Sequence, residues 1–448
     1  MQVPNLNDHN IQLADLSRHY GIEEGKAFLV YAPLAGVFFL ADADTVQRLE
    51  AFVENGGDEE MEELWAQLKE NSEDYRSSIV EEPSQFTRLS ILPNLTCNLS
   101  CAYCYSAKGR SKMEIDESHL KIMLDYFIDC HRTSSRHLSI FISGGGEPLL
   151  SWEKLRFIFG YSRQRAVAQG FTLDIFLMTN GTLITSDIAH ELKEQDVNVG
   201  VSFEILPDVQ DSQRGSFHKV SQNIRLLLDM GIVPNISSVI TGLNVDRMEE
   251  MADTVASSYP GIRHLNFDPA MSSDIFPDSE RLDAFYQKFI HNFFKAKELC
   301  KKYGMTLDCN VVRKAEKLFP RYCQGKLCLT PEGKISICHS VSSPREAAYQ
   351  KVVYGEVRNG QLAFDTGKFK SFIDKENFLL PRCHSCIARW HCAGGCMMYR
   401  MNYNEKQFEA VCRFTAYAIA EILLKRLDAS FKKEQGQSIG QLLGITNI

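Results

Sequence analysis

Basic residues are outnumbered in this chain of 448 residues: 49 Lys and Arg against 57 Asp and Glu leave a net charge of −8. That balance excludes general nucleic-acid binding, which needs a basic face to meet phosphates. Long hydrophobic runs are missing as well. The longest, around Phe28 to Ala41, is broken by Pro33 and falls short of the roughly 20 residues of a membrane span. The opening MQVPNLNDHN has no basic-then-apolar secretion pattern, so a cytoplasmic location without a membrane partner is expected. In that setting the 14 cysteines should be reduced thiols, and metal ligation becomes likelier chemistry than disulfides. The length suggests two or three domains.

The clustering of those cysteines carries the information. Leu95 to Tyr105 reads LTCNLSCAYCY, with Cys97, Cys101 and Cys104 spaced C-x3-C-x2-C. Three thiolates so close together can hold three corners of a cubane iron-sulfur cluster and leave its fourth iron open for a small molecule. A structural zinc site usually wants four ligands in two pairs, and this stretch offers three with no histidine. With Tyr103 just before the last cysteine, the motif resembles the signature of the radical S-adenosylmethionine (radical SAM) superfamily. The resemblance implies that the open iron chelates the methionine moiety of S-adenosylmethionine and that an electron from the cluster releases a 5'-deoxyadenosyl radical. The protein would supply ligation, orientation and a dry pocket.

From Phe86 to about residue 270 the pattern alternates strand and helix, as in a parallel sheet or barrel. Strands are expected at Thr87 to Pro93, His137 to Ser143, Leu173 to Met178, Asn198 to Glu204, Val233 to Thr241 and Arg263 to Phe267. Helices such as Asp116 to Cys130 and Trp152 to Gln169 lie between them. Six such units fit the α/β fold that the resemblance implies, a partial (β/α)6 TIM-like barrel with its chemistry at the carboxyl ends of the strands.

The second strand leads into GGGEP, Gly144 to Pro148, where glycines allow close backbone approach to a ligand and Glu147 can accept from an ammonium. The resemblance assigns the methionine amino group to Gly145, Gly146 and Glu147. It likewise assigns Ser202 and Arg214, twelve residues apart, to the methionine carboxylate, for which a guanidinium fork is suited. Glu204 stands where many relatives carry Asp. Thr179-Asn180-Gly181 reads as a turn, and Asn244 is a further candidate for the nucleoside.

Ser279 to Tyr303 reads as one long helix, and a second cysteine field follows it. Cys323 and Cys338 flank Gly333, and Cys383, Cys386, Cys392 and Cys396 run C-x2-C-x5-C-x3-C ahead of Cys412. Zinc knuckles share the C-x2-C half. The field resembles the SPASM extension of radical SAM enzymes that modify peptides and proteins, which carries two auxiliary clusters. That resemblance assigns Cys383, Cys386, Cys392 and Cys412 to the second auxiliary cluster and Cys323, Cys338 and Cys396 to the first. Relatives place another cysteine where this chain has Lys317. The first auxiliary cluster is therefore expected to keep an open iron or to recruit Cys309 or Cys328, and the chain as a whole to carry three [4Fe-4S] clusters. Cys130 and Cys300 read as small core residues on amphipathic helices. A last amphipathic helix is expected at Arg413 to Lys433, before a tail from Gln435 to Ile448 that says little.

Ahead of the barrel, Lys26 to Leu40 reads as two strands joined at Pro33 to Gly36, followed by helices at Asp44 to Glu54 and Glu59 to Glu70. This layout resembles the leader-peptide recognition elements of peptide maturases, in which a strand edge takes up a strand of the partner. The expected division is residues 1–85 for this α+β unit, 86–278 for the barrel, 279–432 for the long helix and SPASM domain, and 433–448 for the tail.

The expected function is a radical SAM peptide maturase that crosslinks a ribosomally made precursor with a leader, with thioether formation as the preferred subtype. It would need an electron donor such as flavodoxin or ferredoxin; no general base can be named. Two other readings stand beside it. Sulfatase-maturing enzymes share the mechanism but carry an Asp where this chain has His339 and usually begin near the first cluster motif. A non-catalytic electron-transfer or metal-binding protein would not be expected to keep both the intact cysteine motif and Glu147.

Overall fold

The protein is described here from a computed structural model, which covers residues 6–69, 80–271, 275–374 and 379–444. Three antiparallel strands open it: β1 (Gln12–Asp15), β2 (Ala27–Ala32) and β3 (Val37–Asp42), in the order β1-β2-β3. Gly36, at φ +70°, makes the turn between β2 and β3. Alternation along β2 then serves two cores. Ala27, Leu29 and Tyr31 face the main core, while Val30 and Ala32 pack under the helices Ala43–Asn55 and Glu59–Lys69. The expected end of the second helix at Glu70 lies outside the described residues, as do residues 445–448 of the tail.

Six parallel strands follow the sequence reading closely: β4 (Arg88–Ile91), β5 (His137–Ile142), β6 (Thr172–Thr179), β7 (Val197–Ser202), β8 (Asn235–Ile240) and β9 (His264–Pro269). Leu138, Ile140 and Ile142 on β5, like Leu173, Ile175 and Leu177 on β6, are buried toward the helices. The opposite face is more accessible and more polar, and forms the inside of the partial barrel. The helix after the cysteine loop stops at Phe127, short of the expected Cys130, which sits in the following turn with its N–H on Gln169. Cys300 is fully buried in the helix Ser279–Lys302, capped by Asp278.

The sheet is wider than the six expected strands. β10 (Thr306–Asp308) adds parallel to β9 on one side. On the other, β11 (Leu327–Leu329) adds parallel to β4, and β12 (Lys334–Ser336), β13 (Val353–Arg358) and β14 (Gln361–Phe364) continue antiparallel. One eleven-stranded sheet therefore runs from the barrel into the cysteine-rich region, with β10 and β14 as its ends. The last long helix spans Glu405–Gln435 and starts a full two turns before Arg413, because Asn404 and Gln407 form a reciprocal capping box. Among the described residues no helix is long and apolar enough to cross a membrane.

Candidate functional site

The cysteine loop leaves β4 at its carboxyl end and is latched to the ends of the next strands. Gly146 and Glu147 donate their backbone N–H groups to the carbonyls of Asn94 (3.0 Å) and Thr96 (2.7 Å). The Asn94 side chain answers with bonds to the Glu147 carbonyl (2.9 Å) and Ser151 Oγ (2.7 Å). Farther along, Asn98 donates to Thr182 Oγ1 and accepts from Asn180 Nδ2, while Ala102 N–H bonds the Gln213 carbonyl. The ends of β5 and β6 and the helix Pro207–Gln213 after β7 thereby hold one loop.

This arrangement gives the glycines a structural reason. A Cβ on Gly145, at φ +66°, would stand 2.4 Å from the Asn94 carbonyl oxygen, and one on Gly146 would stand 1.8 Å from that of Thr96. In the structure these glycines admit the backbone of the cysteine loop. Glu147 is buried, and its carboxylate accepts from Thr179 Oγ1 (2.6 Å), Asn180 N (2.8 Å) and Leu149 N (3.1 Å). Burial pushes its carboxyl up and these donors oppose that. The Thr179-Asn180 turn is thus the partner of Glu147.

Cys97, Cys101 and Cys104 lie half-buried on the loop, and Arg110 donates to Cys104 Sγ (3.4 Å) and, from its other nitrogen, to the Leu99 carbonyl. Burial raises the Cys101 thiol, an effect offset by the charge of Arg214. Arg214 itself is nearly buried, donating to the Tyr103 hydroxyl at 2.8 Å and lying 3.4 Å from Glu204. Tyr103 donates to Glu204, whose second oxygen accepts from Val239 N–H at 3.0 Å. Glu204 is therefore engaged with the loop and with β8. Among the described residues the buried Arg214 Nε has no partner, a donor suited to a bound carboxylate. Ser202 ends β7, half-buried. Asn244 is fully buried and closes its own turn, accepting from Thr241 N–H and donating to the Val239 carbonyl.

The second cysteine field gathers into two sets. Cys396 is close enough to Cys338 and Cys323 to feel their charge, and burial pushes its thiol up to about 11. Cys392 lies in the same way among Cys386, Cys412 and Cys383, and burial takes it to about 12. Of the two spare thiols, Cys309 faces Asp268 and is raised by burial to about 12, whereas Cys328 is buried on β11 within reach of Cys338. Two such sets of thiols are donors that suit iron-sulfur clusters as well as zinc. Tyr105, 48% exposed, stands between the loop and the first set, near both Cys104 and Cys338.

Residues 91–257, which include the cysteine loop and its latches, match the model of the radical SAM superfamily. The chain carries a radical SAM domain. The serine-type anaerobic sulfatase-maturating enzyme of Bacteroides thetaiotaomicron is 32% identical over 162 residues, 34% of this chain and 38% of that enzyme. The antilisterial bacteriocin subtilosin biosynthesis protein AlbA of Bacillus subtilis is 27% identical over 171 residues, 36% of this chain and 34% of AlbA. The chain thus spans less than two thirds of these relatives' own lengths. In fold, native anSMEcpe with bound AdoMet and Kp18Cys peptide matches with a TM-score of 0.61 at 17% identity, over 75% of this chain and 98% of that one. The radical SAM domain accounts for one [4Fe-4S] cluster with S-adenosylmethionine. Asn94, Asn98 and the Tyr103–Glu204 contact escaped sequence reasoning, because each acts on a partner more than fifty residues away.

Proposed function

We propose that the protein is a radical SAM peptide maturase with three [4Fe-4S] clusters, which crosslinks a ribosomally made precursor. The observation that carries this reading is the grouping of the second cysteine field: Cys323, Cys338 and Cys396 on one side, and Cys383, Cys386, Cys392 and Cys412 on the other. That grouping is the interleaved pattern expected of two auxiliary clusters. The S-adenosylmethionine-bound cluster supplies a carbon-centred radical that can take hydrogen from an unactivated carbon. Cys97, Cys101 and Cys104 would ligate it, with Gly145, Gly146, Glu147, Ser202, Arg214 and Asn244 around the bound S-adenosylmethionine. Arg214 would orient its carboxylate through the unpartnered Nε.

The small N-terminal sheet supports a peptide substrate. Its β2 packs on the cysteine-rich region, where Tyr31 bonds His391 at 2.8 Å and the His19 ring stacks on Tyr417 at 4.1 Å. β3 keeps a free outer edge among the described residues, suited to an added strand of a leader. Thioether formation is the subtype we favour, because Lys317 occupies the place of a ligand and leaves an iron for a substrate thiolate. A reduced flavodoxin or ferredoxin would be the electron source, in the cytoplasm. Sulfatase maturation is the second reading, favoured by the Bacteroides relative. His339 after Cys338 and the N-terminal sheet weigh against it.

The test is anaerobic coexpression with the small peptide encoded nearest the gene, beside a Cys97→Ala control. A mass loss of about two per site from removal of two hydrogens, absent in the control and accompanied by fewer alkylatable thiols, supports a thioether. The same loss with all thiols free assigns another crosslink. An unchanged peptide turns the reading toward a protein substrate.

A further inference from the structure

Arg88 begins β4 on the inner face of the partial barrel, opposite to its buried neighbours Leu89 and Ile91. Its guanidinium lies 4.6 Å over the ring of Phe141 on β5. The residue is accessible, yet its charge is penalised by burial, as befits a side chain that faces an interior cleft and not bulk water. Among the described residues it has no carboxylate partner and no cysteine near enough to offset it. A guanidinium with five donors, no acceptor and no carboxylate partner is open to bind one.

Two further groups converge on the same place. β11 pairs with β4 so that Leu327 lies beside Leu89, and Lys326 therefore stands at the level of Arg88 on the neighbouring strand. Its ammonium bonds Nδ1 of His339. His339 is also close enough to Arg88 to feel its charge. With Nδ1 accepting from the Lys326 ammonium, the ring carries its proton on Nε2 and is a donor there. Three basic side chains, none with a carboxylate partner among the described residues, thus share one corner of the cleft. Lys326 also reaches Cys338, and a Cβ on Gly144 at the end of β5 would meet the His339 carbonyl at 3.2 Å. The corner lies between Cys338 and the Gly144 end of β5.

Compensation of cluster charge accounts for Lys326 but leaves Arg88 unexplained. We propose that Arg88, Lys326 and His339 form a carboxylate subsite that takes an acidic group of the substrate peptide beside the first auxiliary cluster. This rests on the peptide-maturase reading. A guanidinium fork matches a carboxylate with two parallel bonds, which fixes the orientation of the bound residue as well as its charge.

The test uses the full chain, reconstituted anaerobically with iron and sulfide, to select from a displayed library of random peptides about a dozen residues long. Peptides captured by the wild type should share an Asp or Glu, and resynthesised peptides should lose roughly tenfold or more in affinity when that residue becomes Asn or Gln. Arg88→Gln and Lys326→Gln should erase this preference, with iron content equal to wild type as the check on folding. Arg88→Lys should restore part of it. If amidation of the peptide C-terminus, and not neutralisation of a side chain, weakens binding, the carboxylate held is the terminal one and the subsite stands. Captured peptides with no acidic preference, or a preference equal in the variants, would overturn the subsite and leave the maturase reading intact. Capture of no peptide family at all would count against the maturase reading and take the subsite with it.

Discussion

Arg214 donates to the hydroxyl of Tyr103 at 2.8 Å, tying a residue that follows β7 to the one just before the third cysteine of the loop. Glu204 completes the triangle from beneath, fully buried and bonded to Tyr103. The cation that we assign to the carboxylate of S-adenosylmethionine is thus aimed by the cluster loop itself. Glu204→Gln keeps the shape and removes the counter-charge, leaving Arg214 buried with one partner fewer. S-adenosylmethionine should bind about tenfold more weakly to the iron-loaded variant, measured by calorimetry, with iron content unchanged. Equal affinity would show that Arg214 needs no such support.

Gly146→Ala tests the latch. Its Cβ would stand 1.8 Å from the Thr96 carbonyl oxygen, and backbone cannot yield as a flexible side chain can. The loop must move, and the first cluster should be lost while the two distant sets keep theirs. Iron analysis of reconstituted protein should fall by about four atoms from about twelve, for three four-iron clusters. Full occupancy in Gly146→Ala would mean that the glycine is dispensable for the loop.

The two auxiliary sets should fail separately. Removing Cys383 and Cys412 together should lower iron by about four atoms and spare the set of Cys323, Cys338 and Cys396. A loss of about eight would show that the sets are one structural unit. Zinc in place of iron in anaerobically purified protein would restore the zinc-knuckle alternative.

The free edge of β3 gives a prediction without mutation. On binding a precursor with its leader, amides within β3 should exchange at least tenfold more slowly with solvent, followed by hydrogen exchange with mass spectrometry. β1 should change little: it is four residues long, and Asp15 at its end already binds the amides of Ser17 and Gly25. Slowing confined to β1, or absent from the sheet, would remove the small domain from leader recognition.

Much of this molecule was legible in its sequence because its signals are local. The strands β4 to β9 alternate apolar and polar over six or so residues, and the cysteines are grouped by spacing. What stayed hidden depends on distant pairs. β11 and β12 are three residues each and acquire their identity from β4 and β13, not from a period of their own. The start of the last helix was readable in Asn404 and Gln407, a capping box that was passed over in favour of the apolar run behind it. Close backbone approach at Gly145 and Gly146 is legible in the sequence, but not that Asn94 and Thr96 of the cysteine loop make it. Arg88 and Lys326 gave no sign at all, since 237 positions separate two residues that only the pairing of β4 with β11 brings level.

The central claim, that this chain runs radical chemistry on S-adenosylmethionine, is tested most directly by liberation of 5'-deoxyadenosine from the anaerobically reconstituted protein with a strong reductant. The account predicts that product with the wild type, in an amount raised by the precursor peptide, and none with Cys97→Ala. Absence of 5'-deoxyadenosine from iron-loaded wild-type protein, with or without peptide, would contradict it and leave an electron-transfer or metal-binding protein in its place.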